Sequence, residues 1–237
     1  MSILSKLLNL IFPLRCLGCD DVLGDEKGYL FCDECLKTCE FFRFKSRCRI
    51  CSAPVEDGNL CAYCRTHERN FIKNISCARY SGAIKEAIKR FKFDKRGDLY
   101  RGLGEILADE ISDSNLFAID IITAVPIHKN RLKKRGFNQS ELLAKYVSKE
   151  LAITFAPKAL IKVKDVPPQS SLKSPSERKK NVSGAFAVGD KEIIKGKNIL
   201  LIDDVFTTGA TLSEISRVLI KNGAKTVFTA TVAMAKA

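Results

Sequence analysis

Residues 199–211 read ILLIDDVFTTGAT, the composition of an anion site. An apolar run carries two adjacent carboxylates, Asp203 and Asp204, to the end of a strand. The turn Thr207-Thr208-Gly209 then leads straight into a helix. Ligands of open parallel sheets bind at the carboxyl ends of strands. Gly209 lets the backbone approach closely, and amides ahead of a helix point at an anion. The hydroxyls of Thr207, Thr208 and Thr211 add donors, with Val205, Phe206 and Ala210 completing the stretch. Carboxylates that accept from ribose hydroxyls, beside amides that hold a 5′-phosphate, suit a sugar phosphate. Thr211-Leu-Ser-Glu214 also reads as a capping box, which would partly commit the Thr211 hydroxyl. The plainer alternative is a Thr-capped helix with a solvated acidic pair. A receiver domain, whose first strand also ends in paired acids, needs on the order of 100 further residues, and only 33 follow Asp204. No GxxxxGK[ST] occurs, which excludes a P-loop.

A second polar segment follows the run IDIITAV at 119–125. Pro126, Ile127, His128 and Lys129 lead into Asn130-Arg131-Leu132-Lys133-Lys134-Arg135-Gly136-Phe137-Asn138-Gln139. Residues 129–135 hold five positive charges and no negative one. This is expected to be a cationic loop at the carboxyl end of another strand, facing the same crevice as Asp203, where a polyanion is its natural ligand. His128 is either a titrating group or a turn histidine bonded to backbone.

The third feature is four C-x-x-C pairs: Cys16/Cys19, Cys32/Cys35, Cys48/Cys51 and Cys61/Cys64. Each pair sets two thiolates on a tight turn, and two pairs complete a tetrahedral four-thiolate Zn²⁺ site. One or two structural zinc ions are expected. Sequential closure makes the shorter loops, but the spacing leaves interleaving open. Cys39 and Cys77 are left over as plain thiols, and His67 as a surface histidine.

Two modules must position these groups. Of ten Cys, nine lie before residue 65. Residues 1–75 are nearly neutral at +1, and residues 76–237 carry +12 of the +13 total. A zinc-binding module over 1–75 and an α/β domain over 76–237 are expected. Eight thiolates and two zinc ions would lower the first module by about four charges, so the basic character belongs to the second. Helical spacing runs through Ala83, Ile84, Ala87, Ile88 and Phe91, then Leu103, Ile106, Leu107 and Ile111, and again from about Ser140. Strands are expected at 119–125, 159–163, 198–203 and 225–234, with a helix at 210–222. Alternation of this kind argues for a parallel sheet. Residues 164–181, polar and rich in lysine, are expected to form a long loop, either functional or disordered. No apolar run reaches the roughly 18 residues of a membrane span. The apolar stretch near the start is broken by Asn9, followed by Arg15 and without a small-residue cleavage site. It is expected to be a short amphipathic helix on a cytoplasmic protein.

The segment ILLIDDVFTTGAT resembles the 5-phosphoribosyl-1-pyrophosphate (PRPP) signature of type I phosphoribosyltransferases. VPIHKNRLKKRGFNQS resembles the competence protein ComF family. Tyr80-Ser-Gly, Phe91-Lys92-Phe93, Gln169, Leu172, Glu177, Arg178, Asn181, Val182, Ala185 and Phe186 fit the same pattern, as does a C-x-x-C module placed first. The chain departs at Lys164 and Val166, where the family usually has Arg and Thr, and a lysine is a point charge rather than a bidentate fork. The resemblance implies a phosphoribosyltransferase fold with structural zinc, and a role in handling incoming single-stranded DNA during natural transformation, with a competence helicase as partner. Asp203, Asp204 and residues 205–211 would bind PRPP with Mg²⁺. Residues 126–129, with Arg131, Arg135, Gly136, Asn138 and Gln139, would take the pyrophosphate side. Two functions follow: pentosyl transfer to an acceptor the sequence does not identify, or nucleic-acid binding that reuses the phosphate cradle. The second would draw on Lys133, Lys134, Lys173, Arg178, Lys179 and Lys180. Phe91, Phe93 and Phe137 could stack on bases, though their spacing favours the core.

Overall fold

The structure, a computed structural model, describes residues 13–23, 30–43, 46–56, 59–114, 116, 118–166 and 175–235. The expected N-terminal helix, and Lys173, Gln169 and Leu172, lie outside them. Two short helices, α1 (Asp33–Lys37) and α2 (Ala62–Thr66), sit in the cysteine-rich segment. The chain continues as β1 (Asn74–Arg79), α3 (Gly82–Phe93), α4 (Tyr100–Asp113), β2 (Ile121–Ala124), α5 (Lys129–Arg135) and α6 (Gln139–Glu150). Then come β3 (Thr154–Phe155), β4 (Leu160–Lys162), α7 (Pro175–Val182), β5 (Phe186–Val188) and α8 (Lys191–Ile194). It closes with β6 (Asn198–Phe206), α9 (Ala210–Lys221) and β7 (Thr226–Met234).

Five strands form one sheet in the order β1-β7-β6-β2-β3, parallel throughout. Ile199, Leu200, Leu201 and Ile202 are buried in succession, as expected of a strand covered by helices on both faces. From β2 the chain crosses to β3 on one side, and from β6 to β7 on the other. Strand order therefore reverses between β2 and β6, which is where an open sheet leaves its ligand crevice. The ladder between these strands ends at Ala124 and Ile202, while β6 stays paired with β7 as far as Phe206. Asp203 and Asp204 thus lie one and two residues past the end of their neighbour, beside the crevice.

The sheet separates two cores. One face packs Ile84, Ile88, Phe91, Leu103, Leu107 and Leu143 from α3, α4 and α6. The other packs Ile215 and Leu219 of α9 with Leu160 and Phe186 of the antiparallel pair β4–β5. The cysteine-rich segment straddles β1. Phe42 N–H donates to Cys77 O at 2.8 Å, and Asn74 N–H to Ile50 O at 2.6 Å. Cys16 and Leu17 join the first core, and Cys48, Cys51 and Cys64 the second. An edge strand that would otherwise present open backbone is covered in this way.

Several expectations change. The basic segment 129–135 is helix α5, closed by Gly136 at φ 87°, rather than a loop. The expected strand at 159–163 is β4 of the small pair. The sheet's edge is β3, too short at two residues to show a period. β1 was not anticipated and runs across the expected module join at residue 75. The latter part of the expected loop 164–181 is helical, with Pro175 opening α7. The capping box does not form. Gly209 is the N-cap of α9 in the left-handed region, Thr211 lies inside the helix, and Glu214 pairs with Arg217.

Candidate functional site

The eight paired cysteines gather into two clusters, Cys16/Cys19/Cys32/Cys35 and Cys48/Cys51/Cys61/Cys64. In each, all four sulfurs lie within 4.8 Å of one another. Closure is sequential. Cys19 and Cys32 Sγ stand 3.7 Å apart and Cys51 and Cys61 Sγ 3.6 Å. A tetrahedron with Zn–S near 2.3 Å has an edge of about 3.8 Å, so the donor sets fit zinc. The two knuckles repeat one fold. Cys16 N–H donates to Asp21 O and Cys48 N–H to Ala53 O, at 2.8 and 2.7 Å. Asp20 and Ser52, directly after each second cysteine, adopt φ 73° and 66°. Burial opposes ionisation of Cys16 and Cys48, but backbone N–H groups, led by those of Cys19 and Cys51, outweigh it and lower each thiol to about 7. Burial and crowding by neighbouring sulfurs push Cys35, Cys51 and Cys64 above the usual thiol range. Four thiols so close ionise together only around a cation. Cys39, Cys77 and His67 belong to neither cluster. Cys77 is buried in the core, and His67 stacks on Tyr63 with centroids 4.0 Å apart.

At the switch point lies a cleft of about 290 Å³. Asp203 and Asp204 line it with Val205, Phe206, Thr207, Gly209 and Thr211 from the end of β6 and its turn. Facing them are Pro126, Ile127, Arg131, Arg135 and Gln139. Ser140 Oγ donates to Asp203 Oδ1 at 2.8 Å, and Asp204 N–H donates to the same oxygen at 2.9 Å. Lys92 Nζ, at the end of α3, lies 2.6 Å from Asp204 Oδ1. Burial and the Asp204 charge push the Asp203 carboxyl up to about 7, against the opposing pull of Lys92 and the two hydrogen bonds.

Opposite the acids, cations crowd one another. Burial lowers Lys162, reinforced by Arg131 nearby, and burial also lowers Arg135. A half-buried cationic wall that outnumbers its carboxylates is shaped for an anion. In the turn, no backbone N–H of Thr207, Thr208 or Gly209 donates a hydrogen bond among the described residues. Gly209 sits at φ 72°, and a Cβ there would come within 2.6 Å of the Phe206 ring.

Not every expected residue faces the cleft. Thr208 and Ala210 line a groove behind it, with Tyr63 and Arg69. Lys129 lines another groove, with Pro126 and Asn138. His128 caps α5, accepting from Asn130 N–H, and lies 3.2 Å from Asp165 Oδ2. Asn138 is buried and donates to Val125 O at 3.1 Å, and Gly136 serves as the α5 cap. Lys133 and Lys134 are exposed on α5. Arg178 and Lys179 belong to α7, where Lys180 is exposed. Val166, one of the departures from the family pattern, lines the cleft, and its carbonyl accepts from Arg131 Nη2. Phe91 is core, and Phe137 stacks on it at 5.7 Å. Phe93 instead stands 68% exposed at the cleft's edge, with the Arg135 guanidinium 5.5 Å from its ring centre. Lys92, Lys162 and Ser140 were not singled out for the site. Lys92 carried a signal, since it follows the last buried residue of a helix whose apolar face was legible.

Fold and cleft define a phosphoribosyltransferase-type domain, joined to a pair of zinc ribbons. Family models agree: a double zinc ribbon domain matches residues 7–65, and a phosphoribosyl transferase domain matches residues 138–237. The chain is 30% identical to Competence protein F of Haemophilus influenzae over 222 residues, covering 91% of this chain and 95% of that protein. It is 29% identical to Competence protein ComFC of Bacillus subtilis over 230 residues, covering 90% and 91%. Identity to the DNA utilization protein YhgH of Escherichia coli K12 is 30% over 188 residues, covering 77% and 82%. The chain belongs to the ComF family of competence proteins. Among the described residues, no helix is long and apolar enough to cross a membrane.

Proposed function

We propose that the cleft binds PRPP or a closely related ribose phosphate, and that the protein acts in cytoplasmic handling of incoming single-stranded DNA during transformation. The observation that carries the ribose-phosphate reading is the turn at 207–209, whose undonated amides adjoin two carboxylates across from Arg131, Arg135 and Lys162. The amides and the Thr207 and Thr211 hydroxyls hold the 5′-phosphate. Asp203 and Asp204 accept from the ribose hydroxyls. The cationic wall takes the diphosphate, with Pro126 and Ile127 shaping that side. Asp203 would offer a hard oxygen ligand to magnesium bound with the diphosphate, which would supply further neutralisation, while Asp204 already shares one oxygen with Lys92. Pentosyl transfer would draw on the same groups, the acids bearing on positive charge at the ring and the cations on the leaving diphosphate.

Calorimetry with PRPP and Mg²⁺ tests the assignment. Binding weakened at least about tenfold in Asp203→Asn or Asp204→Asn is expected, since each loses a charged acceptor. Absent binding, or binding indifferent to both changes, overturns it. The DNA role draws on the relatives' names, on the +13 charge, and on the exposed Phe93 beside Arg135. Single-stranded DNA affinity is expected to fall steeply with salt, and to weaken in Phe93→Ala through lost stacking. A flat salt response removes that role.

A further inference from the structure

The back of the turn at 207–209 is held by residues that leave the second cysteine cluster. Cys64 lies in α2, and Tyr63 beside it presents its ring to Arg69, whose guanidinium carbon is 4.6 Å from the ring centre. The same guanidinium lies 5.7 Å from Phe206 and 5.9 Å from Phe71. Its Nη1 donates to Thr208 O at 2.6 Å. A Cβ on Gly209 would stand 2.9 Å from that nitrogen. The next residue continues the clamp. Asn70 N–H and Nδ2 both donate to Ser213 Oγ in the first turn of α9, at 3.2 and 3.0 Å. Ser213 N–H in turn donates to Gly209 O at 2.8 Å. The turn is therefore fixed from behind by a cation wedged among three rings, and its other face is left to the cleft. Arg69 Nε is buried without a partner among the described residues. The rings and the single bond to Thr208 thus hold the group, so its position depends on where α2 holds Tyr63.

We infer that Arg69 is a positioning residue that ties the second cysteine cluster to the turn at 207–209, so that metal at that cluster sets the order of the turn and its grip on an anion. The coupling is an affinity shared by two sites, so it runs both ways: a ligand on the turn tightens the hold of the second cluster on its metal. Its effect on anion affinity rests on the ribose-phosphate reading above, while its effect on the order of the turn does not.

The test uses the full-length, zinc-loaded protein. Amide hydrogen exchange is read at Ala210 and Ser213, whose N–H groups donate to Thr208 Oγ1 and Gly209 O, in the wild type, Arg69→Ala, Arg69→Lys and Cys61→Ser, with Cys19→Ser as a lesion of the first cluster. Relative to β7, exchange at these two amides is expected to rise at least about tenfold in Arg69→Ala and Cys61→Ser and to stay unchanged in Cys19→Ser. Arg69→Lys, which keeps the charge and one donor, recovers most of the protection. Where PRPP binds, Arg69→Ala weakens it about tenfold, and PRPP raises the equilibrium concentration of colorimetric chelator needed to remove one of two zinc equivalents. Unchanged exchange at these two amides in Arg69→Ala overturns the inference, as does a rise spread equally over β7 or an equal effect from Cys19→Ser. Should the wild type not bind PRPP while the exchange pattern holds, the ribose-phosphate reading falls and the coupling stands.

Discussion

Asp203 and Asp204 are neighbours in sequence with unlike surroundings. Lys92 neutralises Asp204, whereas Asp203 accepts from Ser140 Oγ and Asp204 N–H and is pushed up to about 7 by burial and by Asp204. A carboxyl raised on folding favours the native state fully below its unfolded value near 3.8, and that advantage is lost as pH rises through about 7. Ligand-free wild type is therefore expected to lose stability between pH 4 and 7. Asp203→Asn should flatten this slope and be more stable than wild type at pH 8, by roughly 1–3 kcal/mol after discount for solvent screening in the open cleft. Thermal melts at pH 5 and 8 check it, and parallel pH profiles for the two proteins would refute it. Lys92→Met removes the counter-charge, so the Asp203 carboxyl is expected to titrate higher still, as followed by carboxyl NMR.

At the scale of the element, the strand-turn-helix from 198 to 221 combines a strand buried in succession from Ile199 to Ile202 with a turn of open amides. The strand is set by hydrophobic burial. The turn depends on Gly209, which takes φ 72° against the Phe206 ring and Arg69. Gly209→Ala places a methyl group where those side chains lie and strains the backbone. A loss of about 1–3 kcal/mol in denaturant unfolding is expected, with a larger loss of PRPP affinity than of stability. Helix α5 follows the same reasoning. His128 caps its start, Gly136 ends it, and the sole cleft-facing cations it supplies among the described residues are Arg131 and Arg135. Lys133→Ala and Lys134→Ala are therefore expected to leave PRPP affinity unchanged within about twofold while reducing the salt slope of DNA binding by about one each.

For the whole molecule, the zinc ribbons cover the open edge of β1 and contribute to both cores. Metal is expected to stabilise the sheet as well as the ribbons. Elemental analysis should give two zinc ions per chain, and chelation should lower the melting temperature by more than about 5 °C. One zinc per chain, or a melting temperature indifferent to chelation, would contradict this. Cys39, pushed up to about 11 chiefly by burial, and Cys77, buried in the core, are expected to react slowly with thiol reagents while zinc is bound.

Local chemistry made the strand-turn-helix at 198–221, the eight cysteine ligands, the paired acids and the helical faces of α3, α4 and α6 legible, because each is written in neighbouring residues or in a single period. The cysteine pairing was decided only when the chain folded, since equal C-x-x-C spacings permit several closures. β1 and β3 escaped for a related reason: their stability comes from partners at the two edges of the sheet. Which side of the turn Thr208 faces, and the arrival of Lys92 and Arg69 beside residues more than a hundred positions away, are likewise outcomes of packing. A carboxylate or an amide shows its chemistry in one residue. The charge brought to bear on it depends on which distant segments the sheet brings together.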